Sequence, residues 1–427
     1  MSLRVAYVCA DRGVPVFGCK GSSVHVQEVL RAFLRRGAKV DLFAARLGGD
    51  RPEDLGDVRV HRLARPPRTR AEADPIAVGA GPRRANGPTQ AGADSEADRL
   101  VTDRSLDRQL AAATTPFDLV YERHALFSSS AMRFARLRGL PGVLEVNAPL
   151  VEEQLAHRRL AHPARARSMA REALCAASLR VAVSHGVVDG HRAYGLDRDD
   201  FLVCPNGVDP ARFAWDIPTA RTRETRESFT IGFLGTLKPW HGLDVLLEAF
   251  GLLAVRDPAY RLLVVGDGPQ RERIESFCAQ AGLSGRVELT GAAEPREVPR
   301  WLARMDVGTA PYDAPEGHYF SPLKVVEYMA AGLPVVASRT GQLPDLVEEG
   351  REGLLLPPGD AQALATALEG LRRNRALAVA MGERGRARVL AEHTWDAILE
   401  RVLAAALRAG PARFVPPRTA GLPSGGA

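Results

Sequence analysis

Short, uninterrupted apolar runs alternate with helix-period segments twice along the 427-residue chain. In the first half, Arg4–Cys9, Lys39–Ala44, Asp118–Tyr121, Gly142–Val146 and Arg180–Ser184 read as strands. In the second, Thr230–Leu234, Arg261–Val265, Arg286–Leu289, Asp306–Ala310 and Pro334–Ala337 do so. Between them, Ser22–Arg36 carries Val26, Val29, Leu30 and Phe33 on one helical face. A second helix ends near Ala113, and Glu152–Ala177 and Glu383–Ala409 read as long helices. Strands that are apolar on both faces must be covered on both, which is how parallel sheets sit in α/β proteins. Two such series predict an α/β chain of two doubly wound Rossmann-like domains facing across a cleft.

The pattern places an N-terminal domain at 1–205 and a C-terminal domain at 206–390. A C-terminal helix, 391–409, is expected to cross back to the first domain, and 410–427 to be a flexible tail. Within the first domain, Ala64–Asp98 is rich in Pro, Gly, Ala and Arg and has no period. It reads as a disordered insertion.

Composition enters through what it excludes. Hydrophobic residues make up 45% and charged residues 25%, so global disorder is excluded. No window approaches 18 uncharged apolar residues, so no membrane span is expected. The first residues run as a strand into Asp11-Arg12 without a small-residue cleavage site, unlike a signal peptide. Five scattered cysteines without a CxxC argue against a disulfide framework or zinc site, and for a reducing cytoplasm. The formal charge is +6. Up to Pro205 there are 31 basic and 24 acidic residues, so the surplus sits in the first half. Such a surplus suits peripheral contact with an anionic inner membrane face or an anionic acceptor; an arginine-rich solvated surface explains it as well. With 6% aromatics and no zinc-finger, basic-zipper or RNA-recognition signature, nucleic acid is not an expected partner.

In open α/β sheets ligands sit beyond the carboxyl ends of the strands, so strand-to-helix loops are the candidate sites. The first loop contains Gly18-Cys19-Lys20-Gly21-Ser22-Ser23. Its glycines let the backbone approach a phosphate, and the following helix start offers free N–H groups. A tight turn capped by Ser22 or Ser23 is the plainer reading. Gly235-Thr236-Leu237-Lys238-Pro239-Trp240-His241-Gly242 follows the strand ending at Leu234, where Lys238 and His241 are placed to face an anion. Gly266-Asp267-Gly268-Pro269 follows the next strand, with a simple turn as the alternative.

The most informative segment is Ser321-Pro322-Leu323-Lys324-Val325-Val326-Glu327. Ser321 suits an N-cap and Pro322 the first helical position. Lys324 then lies in the first turn, against the helix dipole, which makes sense if an anion shares that end. Glu327, at i+3, can accept both vicinal hydroxyls of a ribose while Lys324 takes a phosphate. A solvated Lys324–Glu327 pair is the bland alternative.

These segments resemble a family of retaining nucleotide-sugar glycosyltransferases, family 4, of GT-B fold. The likeness runs from about Arg4 to Ala409. It is carried by Ser23-Val24-His25-Val26, by Cys204-Pro205-Asn206-Gly207-Val208-Asp209, and by Phe233-Leu234-Gly235 with His241-Gly242-Leu243-Asp244. Val265-Gly266-Asp267-Gly268-Pro269, the Ser321–Gly332 segment and Gly353-Leu354-Leu355-Leu356-Pro357-Pro358-Gly359-Asp360 complete it.

The resemblance implies transfer of a hexose-type sugar from a nucleoside diphosphate sugar, with uridine favoured over guanosine, to an acceptor hydroxyl. No cofactor and no metal are expected. It implies donor contacts at Gly21, Ser22, Gly235, Thr236, Lys238, His241, Gly266, Ser321, Pro322, Leu323, Lys324 and Glu327. Many relatives carry Arg and Lys where Thr236 and His241 stand, and a glutamate eight residues before Glu327, where this chain has Tyr319, with Glu316 nearby. The chain thus resembles the family's Ser-Pro-x-Lys variant, with Lys324 expected to supply the missing charge. A sugar-contacting histidine in relatives aligns with Arg123, with His124 adjacent. Lys324, Glu327, His124 and Arg123 are the catalytic candidates. Lys20, Glu122, Glu145 and Asn147 are the acceptor-side ones. Cell-envelope glycans, lipid-linked intermediates and small secondary metabolites all remain open as acceptors. A sugar-nucleotide epimerase and a non-catalytic sugar-nucleotide-binding partner are the competing readings.

Overall fold

The computed structural model describes residues 2–64, 91–213, 227–313, 319 and 321–411. They divide into two units: Met1–Ala182, Val187–Val203 and Arg401–Ala427 in one, Val183–Gly186 and Cys204–Glu400 in the other. Each is an α/β unit around one parallel sheet.

The first sheet has seven strands: β1 (Arg4–Cys9), β2 (Lys39–Ala44), β3 (Arg59–Arg62), β4 (Leu119–Arg123), β5 (Gly142–Val146), β6 (Leu179–Ala182) and β7 (Phe201–Val203). Their order is β3-β2-β1-β4-β5-β6-β7. The chain winds outward in both directions from the β1/β4 boundary, where Val5 pairs with Leu119 and Cys9 with Arg123. The second sheet has six: β8 (Phe229–Leu234), β9 (Tyr260–Val265), β10 (Val287–Leu289), β11 (Val307–Ala310), β12 (Val335–Ser338) and β13 (Gly353–Leu356), in the order β10-β9-β8-β11-β12-β13. Its winding reverses between β8 and β11, which pair at Ile231–Val307 and Gly232–Gly308. Those two boundaries are where an open sheet leaves a crevice.

The central strands are buried throughout, as their unbroken apolar runs require. In the second unit Phe229, Ile231 and Phe233 on β8 pack with Leu246, Ala249, Phe250 and Leu253 of the helix Leu243–Arg256. On the other face Leu234, Val265 and Ala310 pack with Val325, Val326, Tyr328 and Met329 of the helix Leu323–Ala330. No described helix is long and apolar enough to cross a membrane.

Several sequence expectations are corrected. The stretch Glu152–Ala177 is two helices, Leu150–His157 and Pro163–Ala176, because Pro163 lacks an N–H and takes the opening position of a new helix. The segment Glu383–Ala409 also divides, into Arg375–Glu392 and Trp395–Ala409. Thr394 forms a bridge to Val208 at the break, and its Oγ1 accepts from the Ala397 N–H. The Ala64–Asp98 insertion is shorter than expected. Its last residues open the helix Ala91–Ala111, where Glu96 accepts from the Ala161 and His162 N–H groups. The remainder of that expectation (65–90) and most of the tail (412–427) lie outside the described residues. Strands β3, β7 and β13 are additional; the first two are edge pieces, β3 half polar and β7 only three residues long.

Candidate functional site

In the second unit the loops after β8 and β9 are zipped together. The Gly235 N–H donates to Val265 O at 2.9 Å, Leu237 N–H to Asp267 O at 3.0 Å, and Gln270 N–H to Leu237 O at 3.2 Å. Gly266 makes this approach possible. Its φ is +144°, and a Cβ there would lie 2.0 Å from Gly235 O. Thr236 is exposed at the loop's tip and Lys238 half-buried, its Nζ 5.6 Å from the Trp240 ring. His241 turns inward: Nδ1 lies 2.6 Å from Thr236 O and the ring 5.9 Å from that of Tyr312.

The helix Leu323–Ala330 faces these loops. Pro322 is its N-cap and Leu323 its first residue, one position later than expected. Ser321 does not cap the helix. Its Oγ instead accepts from the Asn206 N–H at 3.0 Å, and its carbonyl from Asn206 Nδ2 at 2.7 Å, which ties the Asn206-Gly207-Val208-Asp209 segment to the helix entrance.

Lys324 is 7% exposed, and its Nζ has no hydrogen-bond partner among the described residues. The ammonium lies 4.1 Å over the Phe233 ring and 5.7 Å from the Tyr312 ring. A Cβ on Gly235 would sit 3.3 Å from it. Burial pushes this group down to about 7. A buried cation held only by aromatic faces is costly unless an anion joins it. It stands at the carboxyl ends of β8 and β11, at the winding reversal.

Glu327 does not pair with Lys324. Its Oε1 accepts from Arg212 Nη2 at 3.3 Å, a partner that the sequence reading did not single out. Burial raises the Glu327 carboxyl above its ordinary range, and the Arg212 charge and hydrogen bond pull it back. The carbonyl of Tyr319 accepts from Ser184 Oγ, while Glu316 lies outside the described residues.

In the first unit the helix Gly21–Arg35 begins straight after the first loop, with exposed Lys20 as N-cap, Gly21 at its first position and Ser22 half-buried behind it. Neither Ser22 nor Ser23 caps it, and Lys20 makes no side-chain cap bond. Gln27 fixes the loop by donating from Nε2 to Val16 O and Gly18 O, both at 2.8 Å.

The expectation that Glu122, Arg123 and His124 lie at the carboxyl end of the strand Asp118–Tyr121 is corrected for Glu122. Strand β4 runs to Arg123, which draws Glu122 inside it. Glu122 is fully buried, accepts from Ser128 Oγ at 2.6 Å, and is pushed up to about 8 by burial. Glu145 is also buried and serves as a hub. Oε1 lies 2.8 Å from His25 Nε2 and accepts from Arg123 Nη1 at 3.2 Å and Asn147 Nδ2 at 2.5 Å, while Oε2 accepts from the Tyr121 hydroxyl at 2.7 Å. These contacts occupy its oxygens from four sides. His124 is 6% exposed, and neither ring nitrogen has a partner among the described residues. Burial, helped by His191 at 6.4 Å between ring centres, pushes it down to about 3, so it is a neutral imidazole.

Residues 228–374 match the family described as "Glycosyl transferases group 1" and residues 20–207 the "Glycosyl transferase 4-like domain". Over 207 residues the chain is 33% identical to the GDP-mannose-dependent alpha-(1-6)-phosphatidylinositol monomannoside mannosyltransferase of Mycobacterium tuberculosis, a match covering 46% of this chain and 53% of that protein. The chain thus spans about half the length of that curated relative. Sucrose-phosphate synthase from Thermosynechococcus elongatus superposes with a TM-score of 0.66 at 22% identity, over 95% of this chain and 100% of that one. Anabaena HepE in complex with UDP gives 0.67 at 18% identity, over 96% and 100%. Both likenesses bear on the fold, and it is that of the GT-B enzymes. Two family matches in tandem, over sheets of this topology, place the chain in the group 1 glycosyltransferases, the retaining family 4 of nucleotide-sugar enzymes.

Proposed function

We propose that the protein transfers a hexose-type sugar, with retention at the anomeric carbon, from a nucleoside diphosphate sugar to an acceptor hydroxyl. One observation carries the reading: the buried Lys324 ammonium, without a hydrogen-bond partner among the described residues, at the carboxyl ends of β8 and β11. In sugar transfer the charge that must be stabilised develops on the departing diphosphate. A cation already fixed in an apolar surround stabilises that charge without reorganising. Gly235, Thr236 and Gly266 supply close backbone, and Lys238 and His241 border the same loop. Pro322 and Leu323 open the helix whose free N–H groups add to the field. Glu327 takes the ribose hydroxyls. His124, neutral and with ring nitrogens unbonded among the described residues, and Arg123 are the acceptor-half groups suited to hydrogen-bonding a sugar; Lys20 and Asn147 border the same strand ends. Attack on the face the diphosphate leaves, assisted by a phosphate oxygen, delivers retention without a carboxylate nucleophile.

The relative from M. tuberculosis is named for GDP-mannose, and the Anabaena neighbour was solved with UDP. Thermal shift against UDP- and GDP-sugars tests the reading. A ligand at about 100 times its dissociation constant adds about 2.7 kcal/mol, and the true donor raises Tm accordingly. No shift with either series overturns it. NMR of the donor incubated alone separates an epimerase, which would convert it without an acceptor.

The proposed acceptor is a cell-envelope or lipid-linked glycan, with the enzyme peripheral on the membrane's inner face. Support comes from exposed Arg158, Arg159, Arg165, Arg167 and Arg171 on and before the helix Pro163–Ala176. Each cation near an anionic surface contributes about 1 kcal/mol. The protein is expected to float with phosphatidylserine-containing vesicles at low salt and not with phosphatidylcholine alone. Equal behaviour with both vesicle types counts against membrane contact.

A further inference from the structure

Arg212 lies in the turn Pro210–Phe213, directly after the Asn206-Gly207-Val208-Asp209 segment, and its side chain is 16% exposed. Its Nη2 donates both to Pro295 O at 2.5 Å and to Glu327 Oε1 at 3.3 Å, and its guanidinium lies 5.5 Å from the Phe213 ring. The guanidinium is therefore held by a carbonyl and an aromatic face as well as by the carboxylate. Glu327 has one oxygen engaged; among the described residues Oε2 makes no hydrogen bond. Among the described residues, the charged or titratable groups that act on Glu327 are Arg212, from the facing turn, and Tyr328, next along its own helix. Lys324, one turn back, directs its ammonium to Phe233 instead.

We propose that Arg212 is a positioning residue for the donor nucleoside, anchoring one oxygen of Glu327 and leaving the carboxylate to accept from the ribose hydroxyls. This rests on the donor reading above and adds what orients its ribose group. A neutral carboxylic acid has lost one of the acceptor sites that two hydroxyl donors need. In a buried place Glu327 keeps its charge because the guanidinium faces it; without that cation it drifts toward the neutral form.

The test is calorimetric titration of UDP and GDP, and of their 2′,3′-dideoxy counterparts, into the unaltered protein, Arg212→Gln and Arg212→Lys. Glutamine keeps a donor for Pro295 O but no charge; lysine keeps the charge. For whichever ribonucleotide the unaltered protein binds, Arg212→Gln is expected to bind it roughly 10- to 100-fold more weakly, the worth of a charge-assisted hydrogen bond. Arg212→Lys should recover most of that affinity. The dideoxy nucleotide should bind the Gln variant and the unaltered protein alike. The ratio of Gln-variant to unaltered dissociation constants should fall as pH rises, as Glu327 regains its charge. Taking a ratio cancels the titration of Lys324, which both proteins share. If the Gln variant loses affinity equally for ribo and dideoxy nucleotides, or if Lys is no better than Gln, the inference is overturned while the donor reading stands. If the unaltered protein binds neither ribonucleotide, both are overturned.

Discussion

Replacing Lys324 with Met is expected to lower kcat/KM for the donor by about 10²- to 10³-fold while making the ligand-free protein more stable. The loss follows from removing a buried cation at the β8/β11 boundary, at the magnitude seen when a preorganised donor to a developing anion is deleted. The gain follows from the same burial. In the unfolded chain the ammonium titrates near 10.4; in the folded protein burial holds it at about 7. Between those values the unfolded state binds more protons, so stability rises with pH across the window, and below about 7 the full cost is present. Methionine carries no such cost. Discounted heavily for local relaxation, the gain is about 1 kcal/mol, roughly 2–4 °C for a unit of this size, largest below pH 7 and absent near pH 10. Thermal unfolding across pH and steady-state kinetics measure both. Unchanged donor affinity and turnover in Lys324→Met would remove Lys324 from the mechanism. The same titration predicts that nucleotide binding takes up a proton above pH 7, visible as a dependence of the calorimetric heat on the buffer's ionisation enthalpy.

Glu145→Gln is expected to cost about 3–5 kcal/mol of stability, because it leaves His25 and Arg123 buried beside a neutral amide. Burial alone would raise this carboxyl; the His25 charge and contact, then the Arg123 charge and the Tyr121 hydroxyl, outweigh it and hold it well below the ordinary range. Its contribution is therefore present above the unfolded pKa of about 4.3 and lost as pH falls toward the folded value. The difference between variant and unaltered protein should shrink in acid, which urea midpoints at a series of pH values would show. A cost under about 1 kcal/mol at neutral pH would mean that the four contacts add little to stability. The hub joins the helix Gly21–Arg35 to β4 and β5, so Lys20, Arg123 and Asn147 are expected to shift with it.

The fold was legible because its information is local. Runs such as Val5–Cys9 and Leu262–Val265 are apolar on both faces, as strands inside a covered parallel sheet must be. The edge strands β3 and β7 were not legible, since Arg59-Val60-His61-Arg62 and Phe201-Leu202-Val203 are half polar or too short to show a period. At the site, Lys324 and Glu327 stood out by position on a helix, and so did the glycines of the loops. Their true neighbours did not. Arg212 meets Glu327 across 115 positions, and Phe233 and Tyr312 meet Lys324 from two different strands' ends. Glu122 and Glu145 were overread for the opposite reason. A carboxylate near a strand end looks exposed in sequence, but one more strand residue draws Glu122 into the interior, and the tertiary hub consumes Glu145.

Tyr328 is fully buried, its ring so close to Gly308 on β11 that a Cβ there would stand 2.3 Å from it. Its hydroxyl accepts from the Leu234 N–H at 2.6 Å and donates to Thr309 O at 3.2 Å. The helix bearing Lys324 and Glu327 is thus riveted to the two strands it overlooks, four residues past the lysine. For engineering, this makes the helix a poor lever: retuning sugar choice by tilting it would mean breaking the rivet. Libraries aimed at donor exchange belong at Thr236, Lys238, Trp240 and His241, which are exposed or partly exposed, with Leu237, Gly308 and Tyr328 held constant.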